Sequence, residues 1–114
     1  MNIRRGDIFL ATLDPVMGRE IFKTRPVVVV SNNLNNRHGG TVTVLPITSQ
    51  RLNKTYPFEL ILPRGSGNLP KKSKVKADQI RTLDKARLIK RFGRLTVEQT
   101  GYLDEAIKTH LALT

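Results

Sequence analysis

Apolar residues in this chain fall into short runs that are separated by turn-forming residues. The clearest run is 27–30, four consecutive valines that follow Pro26. Because β-branched side chains suit a pleated core, this run predicts a strand buried on both faces. Pro26 has no N–H to donate, so it is expected at the start or the edge of that strand. Arg25, the preceding residue, is therefore predicted to lie at the rim of the core on a rigid element.

Shorter runs on either side predict further strands. Thr12 interrupts the apolar run 8–13, and residues 41–45 alternate polar and apolar as in a half-buried strand. Pro46 is expected to end that strand and to turn the hydroxyls that follow it out of the sheet. The remaining predictions are a turn-rich connection at 31–40, a strand at 58–62, a turn at 83–86 and one or two short strands within 87–95.

The C-terminal residues have helical periodicity instead. The sequence Thr-Val-Glu-Gln at 96–99 is a capping-box signature, which marks the start of a helix. Apolar side chains then recur at helical spacing at Tyr102, Leu103, Ala106, Ile107 and Leu111. We predict one amphipathic helix over 96–111 that covers the open end of the sheet.

Many short strands, turns at roughly 8–12-residue spacing and one terminal helix together predict the fold class. It is a single domain, 1–114, mainly β with a C-terminal helix. A small, strongly bent antiparallel β-barrel of about five or six strands fits this pattern. Such a barrel is SH3-like or OB-like, and periodicity does not choose between the two.

Charge points to an anionic partner. Twenty Lys and Arg against nine Asp and Glu give a formal net charge of +11. Such a field attracts polyanions, of which nucleic acid is the commonest, and a strongly acidic protein partner would satisfy it as well. Lysines at 71, 72, 74 and 76 suit either an edge that contacts phosphates or an edge strand protected against aggregation. The sequence leaves both interpretations open.

Composition removes several common kinds of site. The chain has no Cys, which excludes a disulfide framework, a thiolate metal site and a Cys nucleophile. His38 and His110 have no acidic neighbour at ligand or triad spacing, and no group of carboxylates resembles a Mg²⁺ site. An enzyme of this kind is predicted to work with no metal or other cofactor. With no apolar run of signal-peptide or membrane-spanning type, we expect a soluble cytoplasmic protein that contacts no membrane.

A basic protein without metal or catalytic His can still cleave RNA. The ribose 2′-OH is an internal nucleophile, so the protein has only to align the reacting atoms, stabilise charge on phosphorus oxygens and move protons. Arg25 has a guanidinium fork that matches phosphate geometry. Thr48 can donate its hydroxyl hydrogen to the same phosphate. Glu20, the acid of the loop before the valine strand, is a candidate base or a partner that orients Arg25.

Six segments, in order and with compatible spacing, carry a family resemblance over nearly the whole chain. They are RRGDIF (4–9), LDPVMGREI (13–21), KTRPVVVVSN (23–32), PITS (46–49), YPFEL (56–60) and VKADQIRTLDKARL (75–88). Together they resemble the MazF/PemK family of toxin endoribonucleases. The resemblance implies a homodimer of SH3-like barrels that cleaves single-stranded RNA at a short sequence without metal. It also implies 2′,3′-cyclic phosphate and 5′-hydroxyl products, and a cognate antitoxin that holds the enzyme inactive.

The resemblance also assigns roles to individual residues. It places the catalytic pair on Arg25 and Thr48, the loop glutamate on Glu20, and an RNA-binding pair on Asp78 and Gln79. Further RNA contacts are expected from the surrounding loops and lysines, namely Gly18, Arg19, Lys23, Ser49, Lys54 and Lys74. The antitoxin is expected to be acidic and partly disordered until it binds.

Two departures from the family pattern bear on base preference. Arg19 stands where many members have Ser, and Phe22 stands where a polar residue is common. Aromatic candidates for base stacking are Phe22, Tyr56 and Phe58.

Two other functions fit parts of the sequence. One is a non-enzymatic toxin of the same fold that poisons a protein target such as DNA gyrase, since fold does not fix function. The other is a basic nucleic-acid-binding module without chemistry. The co-occurrence of Arg25, Thr48 and Glu20 in the ribonuclease pattern argues against the first. The second leaves the KTRP (23–26) and PITS (46–49) matches unexplained.

Overall fold

The computed structural model describes residues 1–15, 17–21 and 23–113. Within them the elements are β1 (Asp7–Thr12), β2 (Thr24–Val29), α1 (Asn33–His38), β3 (Thr41–Thr48), β4 (Glu59–Leu62), β5 (Ser73–Lys76), β6 (Arg81–Asp84), β7 (Leu88–Arg94) and α2 (Val97–Leu111). Short 3₁₀ turns occupy Ser66–Asn68, Ala77–Gln79 and Lys85–Arg87.

All seven strands belong to one antiparallel sheet. Its order is β4-β5-β3-β2-β1-β7, and β6 also pairs with β3. The long strand β3 changes partner along one side, pairing first with β6 and then, at Ile47 and Thr48, with β5. The sheet is therefore bent and barrel-like without closing, and α2 completes it. The predicted class, mainly β with a C-terminal helix, is confirmed, with more strands than the five or six expected.

Pro46 does not end its strand, so that prediction is wrong. Pro46 pairs in register with Val27, and β3 continues to Thr48. On the other side of β3, Val44 is paired with β6 and Ile47 with β5, so the ladder is interrupted between them. A missing N–H costs least at such an interruption, which explains how a proline lies within this strand.

The valine run is buried on both faces, as predicted. Val28 and Val30 pack in one apolar cluster with Ile8, Leu45 and Leu103, on the side that α2 covers. Val27 and Val29 pack in a second cluster on the opposite face, with Phe9 among others. Burying a valine side chain contributes about 1.5 kcal/mol or more. The strand that carries Arg25 is thus fixed from both sides.

The connection 31–40 contains a short helix where only turns were predicted. The Asn32 side chain accepts a hydrogen bond from the Asn35 N–H at 2.8 Å and caps α1. Asn36 is buried, and its amide donates to the Ser31 carbonyl at 2.8 Å. Asparagine favours turns by intrinsic propensity, so these side-chain bonds, and not the local pattern, sustain the helix.

Helix α2 begins with the predicted capping box. The Thr96 hydroxyl accepts from the Gln99 N–H at 3.1 Å, and the Gln99 side chain accepts from the Thr96 N–H at 3.0 Å. Leu103 and Ala106 are buried in the core. The predicted apolar face was too wide, however, because Tyr102 is 57% exposed and Leu111 is 45% exposed.

Strand β5 lies between β4 and β3. The interpretation of its lysines as protection of an edge strand is therefore wrong. Lys74, in the middle of β5, is only 4% exposed.

Gly93 is packed against the turn at Ser66–Asn68, and this contact gives a test of the fold. A Cβ at Gly93 would lie 2.7 Å from the Gly67 carbonyl oxygen and 2.8 Å from Asn68 Nδ2. We expect Gly93→Ala to lower the free energy of unfolding by about 1–3 kcal/mol, as overpacking does. Urea unfolding measures this change. Gly40→Ala is the control, since no heavy atom lies within 4 Å of its Cβ position. Equal unfolding midpoints for the two variants would contradict the packing described here.

Candidate functional site

A groove of about 760 Å³ opens at the end of the sheet where β2 begins and β3 ends. One wall consists of residues 18–21 of the loop 13–23, and the other consists of Gln50 and Arg51 of the loop 49–58. Residues of the segment 74–79 line the groove between them. It brings together most of the predicted site residues: Arg25, Thr48, Glu20, Gly18, Arg19, Lys74, Asp78 and Gln79.

Strand register explains why Arg25 and Thr48 meet. Val27 pairs with Pro46 and Val28 with Leu45. Extending that antiparallel register by two residues places Thr48 across from Arg25. Side chains directly across an antiparallel pair share one face of the sheet. A guanidinium and a hydroxyl, 23 residues apart in sequence, are therefore presented to the same groove by two rigid strands.

The wall formed by loop 13–23 is held by its own side chains and by Gln79. Glu20 Oε1 accepts a hydrogen bond from the Met17 N–H at 2.5 Å. Gln79 Oε1 accepts from the Ile21 N–H at 3.3 Å, and Gln79 Nε2 donates to the Arg19 carbonyl at 3.4 Å. Gln79 thus contacts the loop backbone on both sides of Glu20.

Lys74 and Glu59 form a buried ion pair beneath the other wall. The Lys74 ammonium donates to the carbonyls of Arg51 at 2.9 Å and Lys54 at 3.0 Å, and to Glu59 Oε1 at 3.3 Å. Burial by itself raises the pKa of the Glu59 carboxyl. Hydrogen bonds from Lys76, the Tyr56 N–H and Lys74 outweigh burial, so the Glu59 pKa lies below its usual value. Glu59 is therefore ionised at neutral pH.

Asp78 presents an unsatisfied acceptor at the groove. Within the described part of the chain, its Oδ1 is buried and accepts no hydrogen bond. The Lys76 ammonium lies 3.7 Å from this oxygen. A buried acceptor without a donor costs free energy, so a donor supplied by a ligand would be favoured here.

Three of the predicted RNA contacts, Lys23, Ser49 and Lys54, do not line this groove among the described residues. The Lys54 ammonium lies 5.1 Å from the centre of the Tyr56 ring, and its contact with Tyr56 raises the Lys54 pKa above its usual value. Tyr56 is stacked on Phe58 with ring centres 5.3 Å apart. Phe22, the third aromatic candidate, lies outside the described residues.

The sequence interpretation missed three residues of the lining, Ile21, Gln50 and Arg51, and named Lys76 only among the lysines that suit a phosphate-contacting edge. Arg51 adds a third guanidinium to those of Arg19 and Arg25, and Gln50 adds an amide with both donor and acceptor. A signal for both existed, because they follow Thr48 by only two and three residues. Lys76 pairs with the buried Glu59 at 2.8 Å and lies next to Asp78.

Two absences among the described residues bear on the remaining predictions. No group of three or more His, Cys, Asp or Glu residues is placed to hold a metal ion in ranges 1–15, 17–21 and 23–113. Among the helices in those ranges, none has the length and apolar character needed to cross a membrane. Metal independence itself stays a prediction.

Comparison with known proteins agrees with the geometry. The family model for the PemK-like, MazF-like toxin of type II toxin–antitoxin system matches residues 4–111. The chain is 41% identical to Endoribonuclease MazF9 of Mycobacterium tuberculosis, over 97% of this chain and 98% of that protein.

Solved structures agree in fold. Crystalline MazF from Deinococcus radiodurans superposes with a TM-score of 0.83 at 26% identity, covering 98% of each chain. A mycobacterial endoribonuclease in complex with its cognate antitoxin gives a TM-score of 0.77 at 25% identity, covering 99% of this chain and 96% of that one. With a family match over nearly the whole chain and a relative of this identity, the protein belongs to the PemK-like, MazF-like toxins of type II toxin–antitoxin systems.

Proposed function

We propose that this protein is a sequence-specific endoribonuclease toxin that cleaves single-stranded RNA independently of the ribosome and without metal. The observation that carries the proposal is the gathering of Arg25, Thr48 and Glu20 in one cationic groove. Family membership supports it, since the relative MazF9 is named an endoribonuclease. The same name gives no support to a toxin that poisons a protein target.

The proposed reaction is an internal transfer at phosphorus. The 2′-oxygen of one nucleotide bonds to phosphorus while the bond from phosphorus to the 5′-oxygen of the next nucleotide breaks. The 2′-OH gives its proton to a base and the 5′-oxygen receives one from an acid. The products are a 2′,3′-cyclic phosphate and a 5′-hydroxyl, and no water is consumed.

Arg25 and Thr48 suit the charge that develops in this reaction. A guanidinium donates two parallel hydrogen bonds to phosphate oxygens and keeps its positive charge, so Arg25 stabilises the phosphorane. The Thr48 hydroxyl, on the neighbouring strand, donates a further hydrogen bond to the same group. Because both stand on strands packed into the core, they need little rearrangement when charge develops.

Glu20 and Asp78 supply the acceptors of the groove. Glu20 is an exposed carboxylate of loop 13–23 that lines the groove, and it is the candidate base for the 2′-OH. Asp78 Oδ1, which is buried without a hydrogen-bond donor in the described structure, suits an N–H on a base edge. Proton removal and base selection are thus assigned to separate carboxylates.

The proposal extends to the partners of the protein. An acidic cognate antitoxin would bind the cationic groove region and exclude RNA. A related mycobacterial endoribonuclease was solved in complex with its cognate antitoxin, which supports an antitoxin as a partner. We further propose that the protein acts in the cytoplasm as a homodimer of a single-domain chain, 1–114.

Fragment-end analysis tests the reaction. Purified protein is incubated with a long, weakly structured RNA in excess EDTA. We expect discrete fragments whose 5′ ends accept phosphate from a kinase directly, because they are hydroxyls, and whose 3′ ends are cyclic phosphates. A parallel reaction with Mg²⁺ is the control and should cut at the same sites. Cleavage that requires Mg²⁺, or that leaves 5′-phosphates, would contradict the proposed chemistry.

A further inference from the structure

Lys74 was expected to contact RNA, yet its ammonium is directed into the protein. The residue is 4% exposed. A lysine ammonium has three N–H bonds to donate. Lys74 directs them to the Arg51 carbonyl, the Lys54 carbonyl and Glu59. A phosphate that bound this ammonium would have to displace at least one of these partners.

Glu59 fixes the same loop from the other side. Its side chain is fully buried, and it accepts hydrogen bonds from the Tyr56 N–H at 3.0 Å and from Lys76 at 2.8 Å as well as from Lys74. The loop 49–58 is therefore tied at Arg51, Lys54 and Tyr56 to one buried ion pair.

The loop held in this way carries two side chains of the groove, Gln50 and Arg51. Arg51 has a positive φ of 54°, a left-handed conformation that residues other than glycine adopt only when their surroundings impose it. The bond from Lys74 to the Arg51 carbonyl is such a constraint. Without it, the backbone at Arg51 is free to relax and to move its guanidinium.

We propose that Lys74, paired with Glu59, is a positioning residue that presets the loop 49–58, so that the choice of nucleotide in the groove depends on it although it does not contact RNA. This inference rests on the proposed ribonuclease function. It assigns Lys74 an indirect role in place of direct RNA binding, and it makes the wall of the groove a preformed surface.

The test variant is Lys74→Met, which keeps an unbranched side chain one atom shorter and removes the three hydrogen bonds of the ammonium. We expect KM for a short RNA that contains the wild-type cleavage site to rise about tenfold or more, with a smaller change in kcat. We also expect cleavage of a random-sequence RNA pool to extend to sites that the wild type rejects. Hydrogen exchange of the amides in 49–58 should quicken.

Two further variants separate the positioning role of Lys74 from the loss of a positive charge and from the loss of stability. Lys90→Met removes the same charge from an exposed position on β7 and should behave as wild type. The pair Glu59→Met with Lys74→Met removes both members of the buried ion pair, so neither is left buried without its counter-ion. Lys76 also loses Glu59, but it is partly exposed and keeps Asp78 at 3.7 Å. We expect this double variant to unfold at a higher temperature than Lys74→Met alone and still to show the widened site preference.

The outcomes are distinguishable. A folded Lys74→Met or double variant with wild-type KM, wild-type site preference and unchanged exchange in 49–58 would overturn the positioning role. If the wild type itself cleaves no RNA, the proposed function fails, and the exchange of the 49–58 amides then decides whether Lys74 presets the loop. Restored selectivity in the double variant would also contradict the inference, because its loop carbonyls lack their donor.

Discussion

Replacing Arg25 with alanine should leave a folded protein that cleaves RNA at least about 100-fold more slowly, the usual cost of removing one preorganised donor from a transition state. The physical reason is the loss of the charge that faces the phosphorane. Such a change in rate corresponds to about 2.7 kcal/mol of transition-state stabilisation. The single-turnover rate on a defined RNA measures it, and thermal unfolding verifies the fold, which the buried valines after Arg25 maintain.

Two further substitutions show that the effect is specific to this guanidinium. Arg64→Ala removes one positive charge from an exposed loop position outside the groove and should change the rate only slightly. Arg25→Lys keeps the charge but loses the planar fork, so its rate should lie between those of Arg25→Ala and the wild type. An Arg25→Ala protein that cleaves within about threefold of the wild type would remove Arg25 from the mechanism.

The elements that were predicted correctly have signals that are local in sequence. Four consecutive valines are compatible with few environments other than a buried strand, and a capping box defines the start of α2 within four residues. Pro46 and α1 were mispredicted because their causes are not local. Pro46 is tolerated where β3 changes partner from β6 to β5, and α1 depends on hydrogen bonds made by Asn32 and Asn36.

Some residues of the candidate site could likewise be predicted from local sequence, and others could not. Arg25, Thr48 and Glu20 could be named because their residue types suit phosphate chemistry and their segments resemble a family. The burial of Lys74 could not be predicted, since a lysine among other lysines gives no sequence signal of burial. Its counter-ion Glu59 is 15 residues away in sequence, and only the pairing of β4 with β5 brings the two together. Gln79 likewise contacts a loop that lies 58 residues earlier.

A single 2′-deoxy substitution at the nucleotide 5′ of the scissile phosphate should abolish cleavage at that bond. The proposed nucleophile is the 2′-oxygen, which is tethered next to phosphorus, and the gain from such tethering is on the order of 10⁵ M or more in effective concentration. No side chain is assigned to replace it. Gel analysis of an otherwise unmodified RNA measures the loss, and it should be complete even at high enzyme concentration.

The matched control moves the deoxy substitution by one nucleotide to the 3′ side. That RNA loses a hydroxyl and keeps the nucleophile, so it should be cut at close to the normal rate. Any decrease in the cleavage rate would then measure contacts between that hydroxyl and the groove. The deoxy RNA should also still bind and compete with cleavable RNA, because the contacts proposed for Arg25, Thr48 and Asp78 are with phosphate and base and do not require the missing oxygen. Cleavage at the deoxy position would mean that water or a side chain attacks phosphorus. The roles of Glu20 and Arg25 would then have to be reassigned around an external nucleophile.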